Sequence, residues 1–323
     1  MELASIEGEP PVIVKPRQAP VAKGVGSGSD SAPGVAALRP ARSAGVLKEA
    51  LHSIVRRRPA LAGLIIVALT AAAALLAPLV APFDPTEMHA RDRFAAPSLA
   101  FLLGTDEAGR DLLSRMLFGA QISIVVSAAA TCLALAVGVP MGIFAGYNGG
   151  WIDDLLMRVL DALLAIPAIL LALTLVTALG PGIPQITVAI GVLGVPVTAR
   201  IARAAVLTEI NKDYVLAART VGAPSGYIMR RVLLPNALSP ILVMASVLAA
   251  NAILLEAALS FLGFGPRPPD ASWGSLLQSG YQVMDHSVWF VLFPGLAIFL
   301  LVWSFNALGD ALRDGLDPRL RGL

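Results

Sequence analysis

Long apolar segments alternate with short polar ones along most of this 323-residue chain. A helix that crosses about 30 Å of hydrocarbon needs roughly 20 residues. Six segments reach that length with few ionisable side chains, so the pattern predicts an all-α membrane protein with six transmembrane helices. These helices are expected at about 60–82, 119–146, 155–179, 184–203, 236–264 and 288–309.

The first 45 residues differ from the rest of the chain. They are rich in Pro, Gly, Ser and Ala and have neither a helical nor an alternating apolar pattern. Segments of this composition do not bury enough apolar surface to fold. We therefore predict a disordered tail at 1–45 and a transmembrane domain at 46–323.

Lysine and arginine are unevenly distributed between the two sides of the predicted bundle. If the tail is cytoplasmic, 19 of the 24 basic residues lie on the cytoplasmic side, and the loop at 200–231 has the same bias by itself. Cytoplasmic loops carry such an excess of positive charge. The sequence therefore predicts a multi-pass membrane protein with both termini in the cytoplasm.

Composition excludes several other classes of protein. Hydrophobic residues make up 56% of the chain and charged residues 14%, with a mean hydropathy of +0.75, so a soluble domain is excluded. A single cysteine, Cys132, excludes a disulfide-stapled fold, and a net charge of +2 argues against a nucleic-acid partner. No metal-ligand spacing joins the three histidines to Cys132, so we expect no metal site and no catalytic residue.

Few ionisable residues fall inside the predicted spans. Arg158 and Asp161 are three residues apart, and a local ion pair is the simplest interpretation. Glu256 lies deep in the fifth span, where a carboxylate is either a functional group or is hydrogen-bonded within the bundle; both readings stay open. Three glycines at four-residue spacing predict close helix packing. They are Gly138, Gly142 and Gly146.

One loop on the predicted cytoplasmic side is long and contains small and basic residues. It reads INKDYVLAARTVGAPSGYIMRRVLLP at 210–235. We expect a helix at 213–220 that stops at Gly222, and a second helix at about 225–233 that ends before Pro235. Two short helices of this kind suit a groove on a cytosolic partner. The alternative is an amphipathic helix that lies on anionic lipid through its arginines.

This loop resembles a signature of permease subunits of binding-protein-dependent ABC importers. The signature runs EAA…G…I-x-LP, and the chain has Ala217-Ala218, Gly222 and Val232-x-Leu234-Pro235 at matching spacing. Leu216 stands where the signature has an acidic residue, and Val232 stands in place of isoleucine.

Further segments resemble the dipeptide, oligopeptide and nickel branch of that family, on the side of its second permease subunit. They include LGTDEAGRDLLSRMLFGAQISI at 103–124, LSFLGFGPRPPDASWGSLL at 259–277 and NALGDALRDGLDPRL at 306–320. The resemblance covers about residues 50–320 and implies the type I ABC importer permease fold, in a bacterial inner membrane.

The resemblance also implies partners. The chain has no GxxxxGK[ST] phosphate loop, and in this family two separate cytosolic ATPase subunits bind ATP and magnesium. The loop at 204–235 would couple their closure to the membrane helices. The contact residues it implies are Tyr214, Ala217, Ala218, Arg219, Gly222, Ala223, Tyr227 and Pro235.

The translocation pathway would lie between this subunit and a homologous permease. Candidate pathway residues are Asn251, Glu256 and Ser260, although burial against a neighbouring helix is an equal alternative. By resemblance, the extracytoplasmic side meets a substrate-binding protein. The candidate residues there are Arg110, Asp111, Pro268 and Trp273; a structural role for Arg110 and Asp111, or membrane anchoring by Trp273, would also explain them.

The resemblance implies an importer of di- or oligopeptides that works by alternating access. Nickel complexes and glutathione are alternative substrates within the same branch. A self-contained secondary transporter or channel is the alternative from another class, and it would need an inverted repeat with broken helices. A membrane scaffold without a transport role is a third hypothesis.

Overall fold

The computed structural model of the protein describes residues 53–316, and the tail predicted at 1–45 lies outside this range. Helices are the regular secondary structure of residues 53–316, which otherwise contain one isolated β-bridge, between Thr105 and Asp111; this confirms the all-α prediction. Ten helices follow in order: α1 Arg58–Leu75, α2 Ala77–Val80, α3 Leu112–Asn148, α4 Gly150–Leu164, α5 Ala168–Leu179, α6 Ile183–Glu209, α7 Asp213–Thr220, α8 Ser225–Phe264, α9 Trp273–Gln282 and α10 Trp289–Leu316.

Five of these helices are each long and apolar enough to cross a membrane, namely α1, α3, α6, α8 and α10. The segment expected at 155–179 is not one straight helix, because α4 and α5 are bent by 89°. Pro167 stands at the break with a ψ of 129°, outside the helical range. It has no N–H to continue the ladder, and its ring disfavours helical geometry in the preceding residue. If the bent pair is one span, the described chain has six.

Both ends of the described chain lie at the same end of the bundle. Arg57, before α1, pairs with Asp314 near the end of α10 at 2.5 Å, and the Ser53 hydroxyl donates to the Ala311 carbonyl at 2.5 Å. The loop between α6 and α8 lies at this end of the bundle too, which is the end at which α3 and α10 both finish. We call it the loop end. Its orientation in the cell remains a prediction.

Helices α3 and α6 pack closely through small residues. A β-carbon on Gly142 would lie 2.1 Å from the Ala199 carbonyl oxygen, and one on Gly138 would lie 2.7 Å from the Thr198 side chain. Ala199 is itself fully buried. The close packing expected from the glycine spacing is confirmed, because any larger side chain would force the two helices apart.

The helix expected to end before Pro235 instead continues into the fifth span, so the prediction of a second short helix was wrong. A π-helical segment, Ile228–Leu233, comes directly before the α-helical part of α8 at Leu234–Leu259. The wider π turn gives room for the proline ring, which would otherwise press on the carbonyl four residues earlier. The loop end of α8 is therefore rigidly continuous with a membrane span.

Candidate functional site

The loop between α6 and α8 has a defined backbone. Helix α7 ends in a Schellman motif, in which the Ala223 N–H donates to the Ala218 carbonyl at 3.1 Å and the Gly222 N–H to the Arg219 carbonyl at 2.9 Å. Gly222 has a φ of +75°, a conformation that glycine adopts without steric cost. The expected helix stop at Gly222 is confirmed.

Side-chain contacts connect the start of α7 to the end of α6. Val215 is fully buried, the Tyr214 hydroxyl donates to the Glu209 carboxylate, and Lys212 pairs with the same carboxylate at 2.6 Å. Burial and the Glu209 carboxylate raise the pKa of Tyr214 well above its usual range, so its phenol stays neutral. Tyr214 therefore holds the loop in place as well as bordering its surface.

A side-chain contact connects the end of α7 to α3. The Arg219 guanidinium lies 5.2 Å above the centre of the Tyr147 ring, a cation–π contact. The Tyr147 hydroxyl donates to Ser225 at the start of α8 at 3.3 Å. The loop is thus joined to three membrane helices at once, and a displacement of the loop would move them together.

The outer side of the loop presents an apolar surface. Val221 is 82% exposed, Tyr227 54% and Leu216 44%. A β-carbon placed on Gly222 or Gly226 would meet no atom within 4 Å. We call these five residues the loop surface. Large exposed apolar side chains at the polar end of a bundle indicate a protein-binding site.

The predicted contact residues divide into two groups. Gly222, Arg219 and Tyr227 are exposed, whereas Tyr214, Ala217, Ala218, Ala223 and Pro235 are half-buried; Tyr214, Ala218 and Ala223 pack against the core beneath the loop. Sequence reasoning missed Leu216 and Val221. The departure at Leu216 from the acidic residue of the signature was the available signal, since an apolar side chain there extends the loop surface.

The three candidate pathway residues do not lie together on one cavity. Asn251 is exposed and lines a cavity of about 400 Å³ between α3, α5, α6 and α8. Glu256 and Ser260 are each 1% exposed. The Glu256 carboxylate accepts from Ser260 at 2.8 Å and from Ser123 of α3 at 3.0 Å. The side chains of Glu256 and Ser260 therefore lie within the bundle. Of the three candidates, only Asn251 borders open space.

Three of the four residues expected to face a binding protein have structural roles instead. Asp111 is buried and caps α3 by accepting from the Ser114 N–H at 2.8 Å, and Arg110 pairs with Asp106 at 2.7 Å. Trp273 is 4% exposed, and its indole N–H donates to the Met116 carbonyl at 3.0 Å, which also contradicts anchoring at the membrane interface. Pro268 is exposed.

The ion pair expected between Arg158 and Asp161 is not formed. Asp161 pairs with Arg200 of α6. Asp153 forms a bidentate ion pair with Arg203, in which both N–O distances are 2.5 Å. Partners on α6 therefore replace the local partner that was expected on α4.

Asp106 organises the segment before α3. It is fully buried and accepts from the backbone N–H groups of Ala108 at 2.8 Å and Arg110 at 2.9 Å, and from the side chains of Arg110 and Arg115. The LGTDEAGRDLLSR segment is therefore a folded cap at the end of the bundle opposite the loop.

Replacing Asp106 with asparagine should destabilise the protein by about 3–5 kcal/mol, because Arg115 would be left buried without its counter-charge. Thermal unfolding in detergent measures the change. Asp84→Asn is the matched control, since Asp84 is exposed and bonds only within its own turn to Thr86, and it should leave the Tm nearly unchanged. Equal Tm values for the two variants would contradict this account of the cap.

Comparison with known proteins places the fold. The chain is similar to the methionine ABC transporter MetNI in an inward-facing conformation, with a TM-score of 0.52, 19% sequence identity, and coverage of 62% of this chain and 95% of that one. At this identity the likeness concerns the fold alone, and it confirms the type I importer fold expected from the resemblance.

Sequence relatives are much closer. A di/tripeptide transport system permease protein of Pseudomonas aeruginosa is 42% identical over 281 residues, covering 85% of this chain and 93% of that protein. Dipeptide transport system permease proteins of Haemophilus influenzae and Escherichia coli K12 are 41% and 44% identical, covering 82% and 85% of this chain and 92% and 94% of those proteins.

Two family profiles match different parts of the chain. The N-terminal TM domain of oligopeptide transport permease C matches residues 45–97. The binding-protein-dependent transport system inner membrane component matches residues 138–322, which is more than half of the chain. The family expected from the loop signature is confirmed: this chain belongs to the inner membrane components of binding-protein-dependent transport systems.

Proposed function

We propose that this chain is one of two homologous permease subunits of an ATP-driven importer of di- or tripeptides. The substrate class is supported by the printed functions of relatives that are 41–44% identical over more than nine-tenths of their length. The two permeases enclose the translocation pathway, and two cytosolic ATPase subunits supply the energy. A substrate-binding protein delivers the peptide from the other side of the membrane.

The observation that carries this proposal is the loop surface and its attachment. An exposed apolar patch at Leu216, Val221 and Tyr227 suits a groove on an ATPase subunit. Closure of the ATPase pair on ATP would displace the patch. Because α7 is fastened to α6 and α3 and is followed directly by α8, that displacement would turn these three spans as a rigid body.

The need for a second permease is supported by how little polar surface faces the cavity in the described spans. The cavity at Asn251 is lined mainly by apolar side chains, and Thr131 is the other residue of its lining with a polar side chain. A peptide has two charged termini and polar amide groups, which an apolar cavity does not solvate. A pathway shared with a partner permease supplies the missing lining.

The orientation follows from the same proposal. ATPase subunits are cytosolic, so the loop end lies in the cytoplasm of an inner-membrane protein, together with both ends of the chain. This agrees with the excess of lysine and arginine at that end. The cap around Asp106 and the exposed Pro268 then lie on the side of the binding protein.

Co-purification tests the partners. The tagged chain, extracted from its own membrane, should bring down a homologous permease and two ATP-hydrolysing subunits. Val221→Glu should reduce ATPase recovery at least tenfold, because a charge on the loop surface would be buried without a partner. Leu99→Glu is the matched control, since Leu99 is 99% exposed at the opposite end. ATPase recovery that is equal for both variants, or absent for the wild type, would contradict the proposal.

A further inference from the structure

A cavity at the loop end lies between the start of α1 and the last turns of α10, away from the loop surface. Its volume is about 340 Å³, at the lower end of the range for small-molecule sites. Arg57, Trp303, Asn306, Ala307 and Asp310 contribute to its lining. The cavity thus combines one cation, one carboxylate, one amide and an indole ring.

Two apolar stripes lead along the bundle to this cavity. On α10 the exposed residues recur every three or four positions and end at Trp303; they are Leu292, Leu296, Phe299 and Trp303. On α1 the stripe begins four residues after Arg57; it comprises Leu61, Ile65 and Leu69. This spacing keeps each stripe on one helix face. Both faces are suited to contact with acyl chains, and tryptophan is typical of the depth where hydrocarbon meets headgroups.

The walls of the cavity are fixed by helix packing. A β-carbon on Gly63 would lie 2.9 Å from the Ser304 carbonyl oxygen, so α1 and α10 touch one turn deeper in the bundle. At the loop end, the Ser53 hydroxyl donates to Ala311 and Arg57 pairs with Asp314. The space between these contacts is therefore a formed cavity between two helices that are held together above and below it.

The charges in the cavity are not matched within the described chain. The Arg57 guanidinium has five N–H donors. Its one ion pair among residues 53–316 is the contact with Asp314, and Arg57 also lines the cavity. Asp310 also lines the cavity and is exposed, and among residues 53–316 it forms no ion pair. A ligand with one anionic and one cationic hydrogen-bonding group would pair with both Arg57 and Asp310.

The geometry points to a binding site for a zwitterionic phospholipid with a primary ammonium group, of the phosphatidylethanolamine class. The phosphate accepts from Arg57, the ammonium donates to Asp310, and the acyl chains follow the two apolar stripes. An anionic headgroup such as phosphatidylglycerol meets the same arginine but is repelled by Asp310. A choline headgroup has the charge of an ammonium but no N–H to donate, so it loses the hydrogen bond to the carboxylate.

Native mass spectrometry of the full chain in detergent, with synthetic phosphatidylethanolamine, phosphatidylcholine and phosphatidylglycerol at equal concentrations, tests the site. The wild type should retain one phosphatidylethanolamine about tenfold more strongly than either other lipid, the size of effect expected for one charge-assisted hydrogen bond. Asp310→Asn should remove that preference. Ala307→Leu, which fills the cavity without altering charge, should reduce retention of all three lipids.

Asp314→Asn is the matched control, because Asp314 is on the same helix and pairs with Arg57 but does not line the cavity. It should keep the preference for phosphatidylethanolamine. Equal retention of the three lipids by the wild type, or an unchanged preference in Asp310→Asn, would overturn the proposal. Loss of the bound lipid when the complete transporter is assembled would also overturn it, because the cavity would then belong to a protein contact. None of these outcomes depends on transport activity.

Discussion

Replacing Gly222 with aspartate should reduce ATP-driven dipeptide uptake by at least about 30-fold in the reconstituted transporter. Gly222 has a φ of +75° and its β-carbon position is open, so the chain itself has room for the new side chain. The carboxylate would instead enter the interface with the ATPase subunit and be buried there without a partner. Truncating one partner of a buried charge pair costs about 2–5 kcal/mol, and an unpaired new charge belongs in the same range.

The Gly222 prediction separates an interface effect from a folding effect. Strain at a positive φ costs about 1–3 kcal/mol for a residue other than glycine, so both Gly222→Asp and Gly222→Asn should lower the Tm modestly. Asparagine tolerates this conformation and adds no charge, and it should keep most of the uptake. Uptake by Gly222→Asp within twofold of the wild type would remove the loop surface from the coupling mechanism.

Replacing Glu256 with alanine should destabilise the protein by about 3–5 kcal/mol. The substitution leaves the hydroxyls of Ser123 and Ser260 buried without their acceptor and opens a void between α3 and α8. An unsatisfied buried polar group costs about 1–3 kcal/mol, and the cavity adds to this cost. Thermal unfolding in detergent measures the loss. Asn251→Ala, at an exposed position on the same helix, should change the stability by less than about 0.5 kcal/mol.

A second substitution at Glu256 distinguishes a role in packing from contact with the substrate. Glu256→Gln retains the size of the side chain and one carbonyl acceptor, so it should lower the Tm less than alanine does and leave the KM for dipeptide unchanged. If Glu256 lined the pathway, glutamine would raise the KM without lowering the Tm, and that result would contradict the buried position seen here.

The membrane helices could be predicted from the sequence because span length and apolar composition are local properties. The exception is the span expected at 155–179, because its first part belongs to a separate helix, α4. Asp153, Asp154, Arg158 and Asp161 recur on a helical period just before Pro167, a pattern typical of an amphipathic helix followed by a break. The ion pairs that α4 makes could not be read from the sequence, because Arg200 and Arg203 are about 40 to 50 positions further along the chain.

The first half of the loop, up to Gly222, was predictable for a related reason. Gly222 ends α7 through its own backbone conformation, which depends on neighbours in the sequence and not on distant contacts. At the opposite end of the bundle, the prediction that Trp273 and Asp111 face a binding protein was wrong. Both are residue types that are common at exposed interfaces. The burial of Trp273 comes from packing between α3 and α9, including the bond from its indole N–H to the Met116 carbonyl, which no local pattern indicates.

Dipeptide uptake into proteoliposomes tests the central claim most directly. Vesicles would contain this chain, its homologous permease and both ATPase subunits, with the binding protein and labelled dipeptide on one side and ATP on the other. We predict that uptake requires ATP and stops when this chain is omitted. Uptake by this chain alone without nucleotide, or full uptake by the complex that lacks it, would contradict its role as a permease subunit of an ATP-driven importer.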